Sequence, residues 1–190
     1  MKKAQEHKAL VEEAVSKLDT SDSMLLIVEA GILHESMVYV TKHMLARDKY
    51  GIYVCLNKPH DAVSSILKRS SVDTKRVYFV DCVTALAKET LTTKGAKVIY
   101  AVGPHDISDK GTIPNAIKRF IRSVPGEKFL IIDALRTLFI YNEPKLVSTF
   151  IHLLLTLTSA HDVKLIVLTR KEDDVFIGMV KAAFDEVVEI

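Results

Sequence analysis

Glycine and proline are scarce in this chain, 7 and 5 of 190 residues, and no stretch is of low complexity, which excludes a disordered or fibrous polypeptide. Cysteine is nearly absent. Cys55 and Cys82 lie in apolar, strand-like surroundings and lack both the pairwise spacing of a zinc site and the density of a secreted disulfide scaffold, so they read as buried reduced thiols. A long apolar run is missing at the start, where Met1 to Leu18 mixes charged and apolar residues. No signal peptide or membrane span fits there, and the expected location is cytoplasmic. A surplus of either charge is missing too: 26 basic against 24 acidic residues leave a net charge of +2, too little to gather nucleic acid or an anionic membrane.

What is present is apolar material, 48% of residues, in a length that suits one hydrophobic core. Ala4, Leu10, Val11, Ala14, Val15 and Leu18 recur near helical spacing, so residues 1–20 read as an amphipathic helix ahead of a core spanning 23–190. Short apolar runs then alternate with amphipathic stretches, the rhythm of parallel strands joined by crossover helices. Strands are expected at 24–28, 51–56, 76–80, 98–102, 129–132, 165–168 and 186–190. Helices are expected at 35–47, 61–68, 114–122, 144–159 and 174–184, with Thr112 capping the third and Asn142 with Pro144 opening the fourth. The fold class is therefore α/β with a doubly wound, mainly parallel sheet. Two long polar loops, 90–97 and 103–111, are functional candidates.

Ligands of such sheets bind beyond the carboxyl ends of the strands. After the first strand runs Glu29-Ala30-Gly31-Ile32-Leu33-His34-Glu35-Ser36-Met37-Val38, where a phosphate loop of pattern GxxxxGK[ST] would sit. Gly31 fits its first glycine, but Ser36 stands at the second, Met37 at the lysine and Val38 at the magnesium-binding hydroxyl. Several charge-assisted contacts of about 1.5–3 kcal/mol each would be missing. Glu35 would add repulsion near the phosphates. The alternative is an ordinary strand-turn-helix connection.

The order and spacing of these segments resemble the KaiC-like branch of the RecA superfamily from about Ser23 onward. Gly51 to Lys58 is similar to its second strand, Ser64 to Asp81 to the segment ending in its third, and Phe129 to Leu135 to its Walker B strand with Asp133 at the magnesium position. The resemblance implies a RecA-like three-layer sandwich and a degenerate Walker A loop. Where hydrolysing members carry a catalytic glutamate, this chain has Asn57 and Lys58, and an amide cannot act as a general base. Asp133 alone assembles no metal site; the plainer reading is a strand-end carboxylate capping backbone N–H groups.

His34, His60 and His105 each follow a strand and could converge at one edge, but without the spacing of a metal motif. The basic clusters Lys68-Arg69, Lys75-Arg76 and Lys118-Arg119 with Arg122 would serve nucleic acid only if they shared a face. Leu146 to Leu157 is apolar nearly all round, which fits deep burial or a self-association surface, with His152 as a core histidine. The expectation is a non-catalytic domain without cofactor or metal that acts through a protein partner or itself. Its rival keeps the crevice for a nucleotide or small anion held by the helix after Gly31 and by His34 or Lys58.

Overall fold

The computed structural model describes residues 2–86 and 97–190. Among these residues seven strands form one sheet: β1 (Ser23–Val28), β2 (Tyr50–Cys55), β3 (Val77–Asp81), β4 (Val98–Tyr100), β5 (Lys128–Ile132), β6 (Val163–Arg170) and β7 (Glu186–Glu189). Their order is β4, β3, β2, β5, β6, β1, β7, and every pair is parallel. The central strands are apolar on both faces because both are covered. Leu25 and Ile27 of β1 face one core, while Met24, Leu26 and Val28 face the other.

The first core is closed by α4 (Thr112–Ser123), α5 (Leu135–Tyr141), α6 (Pro144–Ser159) and α7 (Asp174–Val180). The second lies under α1 (Lys2–Ser16), α2 (Leu33–Ala46) and α3 (His60–Arg69). This is a three-layer α/β sandwich. α1 packs on α2 through Val11, Ala14 and Val15, whereas Leu10 is exposed and does not join the apolar stripe expected of it. Gly51 is required by packing, since a Cβ there would fall 2.3 Å from the Phe129 ring on the neighbouring strand.

All seven expected strands exist with small shifts at their ends; the helices differ more. α5 was not anticipated, α2 starts at Leu33 rather than Glu35, and α7 gives way at 181–183 to a 3-10 turn. Thr112 does not cap α4. Its N–H instead donates to the Asp106 carboxylate at 3.0 Å, because the 103–111 loop folds back over the helix start. The 90–97 loop lies, apart from Lys97, outside the described residues.

His152 is exposed on α6, not in the core. The surplus leucines of that helix, Leu146, Leu155 and Leu157, are half-buried against the core, so intramolecular packing accounts for much of its apolar character. Among the described residues no helix is long and apolar enough to cross a membrane.

Candidate functional site

β5 and β6 insert between β2 and β1, so the four carboxyl ends lie side by side at the middle of the sheet. The chain leaves β1 and β2 toward α2 and α3 on one face, and β5 and β6 toward α5 and α7 on the other. Diverging exits open a crevice, here a cavity of about 670 Å³. Ala30, His34, Met37, Asn57, Lys58, Asp133, Arg136, Thr137, Arg170 and Asp173 are among its lining residues.

The β1 exit is short. Glu29 is extended, Ala30–Ile32 makes one 3-10 turn, and α2 is helical from Leu33. The residues in register with the second half of a phosphate loop are thus already in the helix, and no concave wrap of backbone N–H groups forms. Gly31 has no positive φ and a Cβ there would meet nothing within 4 Å, so neither conformation nor crowding requires glycine. Ser36 is fully buried and donates its hydroxyl to the Ile32 carbonyl at 3.0 Å. Met37 is 3% exposed and belongs to the α2-side core. Starting the helix at Leu33 also sets its phase. Glu35 and Val38 line an adjoining groove with Lys8, Tyr39 and Lys42, which shares His34 and Ile66 with the crevice, and Glu35 is not among the residues lining the crevice where it was expected to repel phosphate.

At the floor, both oxygens of Asp133 are engaged. Tyr53 Oη donates to one at 2.8 Å and the Leu56 N–H to the other at 3.1 Å. Burial pushes this carboxyl up to about 6, against the opposing effects of those two hydrogen bonds and Lys58. Asn57 Oδ1 accepts from the Thr137 hydroxyl, which ties the β2 exit to α5 across the crevice. His34 is held below its ordinary pKa by partial desolvation at the crevice and by the charge of Lys58, which favours the uncharged ring.

The wall opposite α2 holds the residues that sequence reasoning missed. Ala134 sits in the left-handed region at φ 64°, ψ 66°, and from that bend α5 leaves with Arg136, Thr137 and Ile140 lining the cavity. A left-handed alanine costs about 1–2 kcal/mol. Ala134→Gly is expected to raise the unfolding free energy by up to about 1 kcal/mol, the relief being partly offset by glycine's greater freedom when unfolded. Urea denaturation checks this, and a loss of stability would mean that packing of the Cβ outweighs the strain. Arg170, at the end of β6, and Arg136 both reach Asp173. Carrying the strand-end rule past Asp133 and past Thr169 would have found all three.

Residues 33–190 match the model of a family of unknown function, DUF7504. The chain belongs to that family. No protein of curated function matches the DUF7504 chain by sequence. Solved structures share its fold. An uncharacterized Pyrococcus horikoshii protein, PH0321, crystallised with an unknown peptide, aligns with a TM-score of 0.63 at 14% identity over 89% of this chain and 77% of its own. Another protein from Pyrococcus horikoshii OT3, PH0250, gives 0.58 at 6% identity over 89% and 81%. A solved ATPase domain gives 0.56 at 12% identity over 93% and 74%, and with it the fold is RecA-like.

Other expected constellations come apart in the DUF7504 chain. His34 lines the crevice, but His60 is buried against Asp81 and His105 is exposed. Among the described residues no three His, Cys, Asp or Glu side chains are placed to hold a metal. Lys68 and Arg69 end α3 and Lys75 and Arg76 lie in the 3-10 turn before β3, whereas Lys118, Arg119 and Arg122 belong to α4 on the face opposite α3, and Arg76 and Lys118 are paired with Asp48 and Asp109. No common basic surface joins them.

Proposed function

We propose that this chain is a RecA-like binding domain of the KaiC-like type with a degenerate Walker A segment, a regulatory or scaffolding protein that does not hydrolyse ATP. The observation that carries the reading is the early start of α2. Helix from Leu33 with Met37 in the core leaves neither a loop to wrap a triphosphate nor a cation at the position of the loop lysine. Asn57, bonded to Thr137 at the place of a catalytic glutamate, supplies no base. Binding to a protein partner is supported by exposed apolar side chains, Ile140 and Tyr141 on α5 with Val175 and Met179 on α7, two helices joined by the stacked pair Phe139–Phe176. The peptide held by the Pyrococcus horikoshii protein points the same way. A cytoplasmic setting suits two buried, reduced cysteines.

The test is titration with labelled ATP and magnesium together with a phosphate-release assay. No micromolar binding and no release are expected. The triple variant Ser36→Gly, Met37→Lys, Val38→Thr is expected to gain neither, because it restores the letters without the loop, and to lose stability, a glycine inside the helix costing about 1 kcal/mol and a lysine at the buried Met37 position adding to that. Magnesium-dependent phosphate release by the natural chain would end this proposal.

A second reading, a crevice kept for a nucleotide or small anion, is favoured by one observation: the crevice is open. Its 670 Å³ falls within the roughly 300–1,000 Å³ of small-molecule sites, and Met37 lines the cavity without filling it.

A further inference from the structure

We propose that Arg136 and Arg170 clamp the phosphate of a small phosphomonoester whose ring-sized, apolar body lies in the same crevice; this rests on the second reading above. The two guanidinium groups come from different strand exits and lean on one carboxylate. Arg136 Nη1 is 3.4 Å and Arg170 Nη2 3.7 Å from Asp173 Oδ1, so neither makes a close bidentate pair. The other oxygen, Oδ2, accepts from the Thr169 hydroxyl at 3.1 Å and from the Arg170 N–H at 3.3 Å. Asp173, its side chain 1% exposed, is thus a fixed post, while the arginine side chains stay 45% and 37% open. Most of their donors remain for a ligand.

Lys58 lines the cavity from the β2 exit and forms no ion pair among the described residues. Three cations therefore face two carboxylates, Asp133 and Asp173, and both carboxylates are already hydrogen-bonded. The surplus matches a phosphomonoester, at about −1.5 to −2, better than a triphosphate. Leu33, Val63, Ile66 and Ile140 offer the apolar surface for the body, and His34, its uncharged form favoured, adds a flat ring. The phosphate would sit at the β5 and β6 exits, across the crevice from the start of α2. Strain at Ala134, which launches Arg136 into place, is the kind of cost that collects at binding sites.

NMR titration of the nitrogen-labelled full chain with AMP, GMP and phenyl phosphate, in chelator, tests this through the side-chain Nε–H signals of Arg136 and Arg170, assigned by Arg136→Lys and Arg170→Lys. At least one of the three is expected to bind and to shift both signals. Arg136→Ala and Arg170→Ala should each weaken it roughly 10-fold to 100-fold, with the lysine variants recovering part of the loss. Binding that leaves both signals and both affinities unchanged overturns the clamp but keeps the crevice reading. If none of the three binds up to about 10 mM, weaker than any useful affinity, both fall. Magnesium–ATP binding more tightly than the monophosphates overturns the charge match.

Discussion

Asp81→Ala lowers the unfolding free energy by about 4 kcal/mol at pH 7, a loss set by how many groups this one carboxylate serves. Asp81 is fully buried at the end of β3. Its Oδ2 meets the His60 N–H at 2.9 Å, the His60 ring Nδ1 at 2.8 Å and the Thr84 hydroxyl at 2.7 Å. Its Oδ1 accepts the N–H groups of Val83 and Thr84 at 2.9 and 2.8 Å. Removal orphans the first turn of α3 and the bend after β3 together, and leaves the buried His60 without its main partner. Burial by itself would raise this carboxyl, but the hydrogen bonds from His60 and Thr84 outweigh it and hold the group below its ordinary 3.8. A lowered folded pKa means that the stabilisation is present above the ordinary value and disappears as pH falls through the folded one. Urea unfolding of the natural chain, Asp81→Ala and Asp81→Asn should therefore show the full loss for alanine at neutral pH, about half of it for asparagine, and a narrowing gap below pH 4. A loss under about 1 kcal/mol would mean that water replaces the carboxylate at little cost.

The strands were legible because a sheet covered on both faces writes itself as continuous apolar runs, as in Met24 to Val28 and Phe129 to Ile132. α5 was not. It is seven residues long and starts from a left-handed alanine, for which neither propensity nor pattern gives a sign, while Pro144 announces only the next helix. Helix phase is illegible for a related reason: moving the start of α2 from Glu35 to Leu33 makes the β1 exit a plain turn and turns Glu35 and Val38 to the adjoining groove. Of the crevice, His34, Asn57, Lys58 and Asp133 could be named from their places after strands. Arg136, Arg170 and Asp173 could not be grouped, because the insertion of β5 and β6 between β2 and β1 decides which strand-end charges share a carboxylate, and that is a non-local fact. Thr112 lost its expected role to Asp106, six residues away in a folded loop.

Asp133→Asn should behave in the opposite sense to Asp81→Ala and stabilise the protein at neutral pH. The folded chain holds the Asp133 proton up to about 6 against an ordinary 3.8, so between these values the native state binds more proton than the unfolded one and stability declines as pH rises. Above that window the ionised carboxylate costs at most about 3 kcal/mol, less to the extent that solvent in the cavity screens it. Asparagine never pays this: its carbonyl can still accept from the Leu56 N–H, and the Tyr53 hydroxyl can turn to accept from its amide. Stability curves of the two proteins should meet near pH 4 and separate by about 2 kcal/mol at pH 7.5, with the variant above. The reverse order at pH 7.5 would show that Lys58 and the two hydrogen bonds favour the charge more than burial opposes it. The same balance bears on magnesium. A carboxylate whose two oxygens already serve Tyr53 and Leu56 must give up those bonds before it can hold an ion or an ion's water, so magnesium added at pH 7.5 should leave the melting temperature of the natural chain unchanged, and a magnesium-dependent rise would require Asp133 to be freer than its contacts allow.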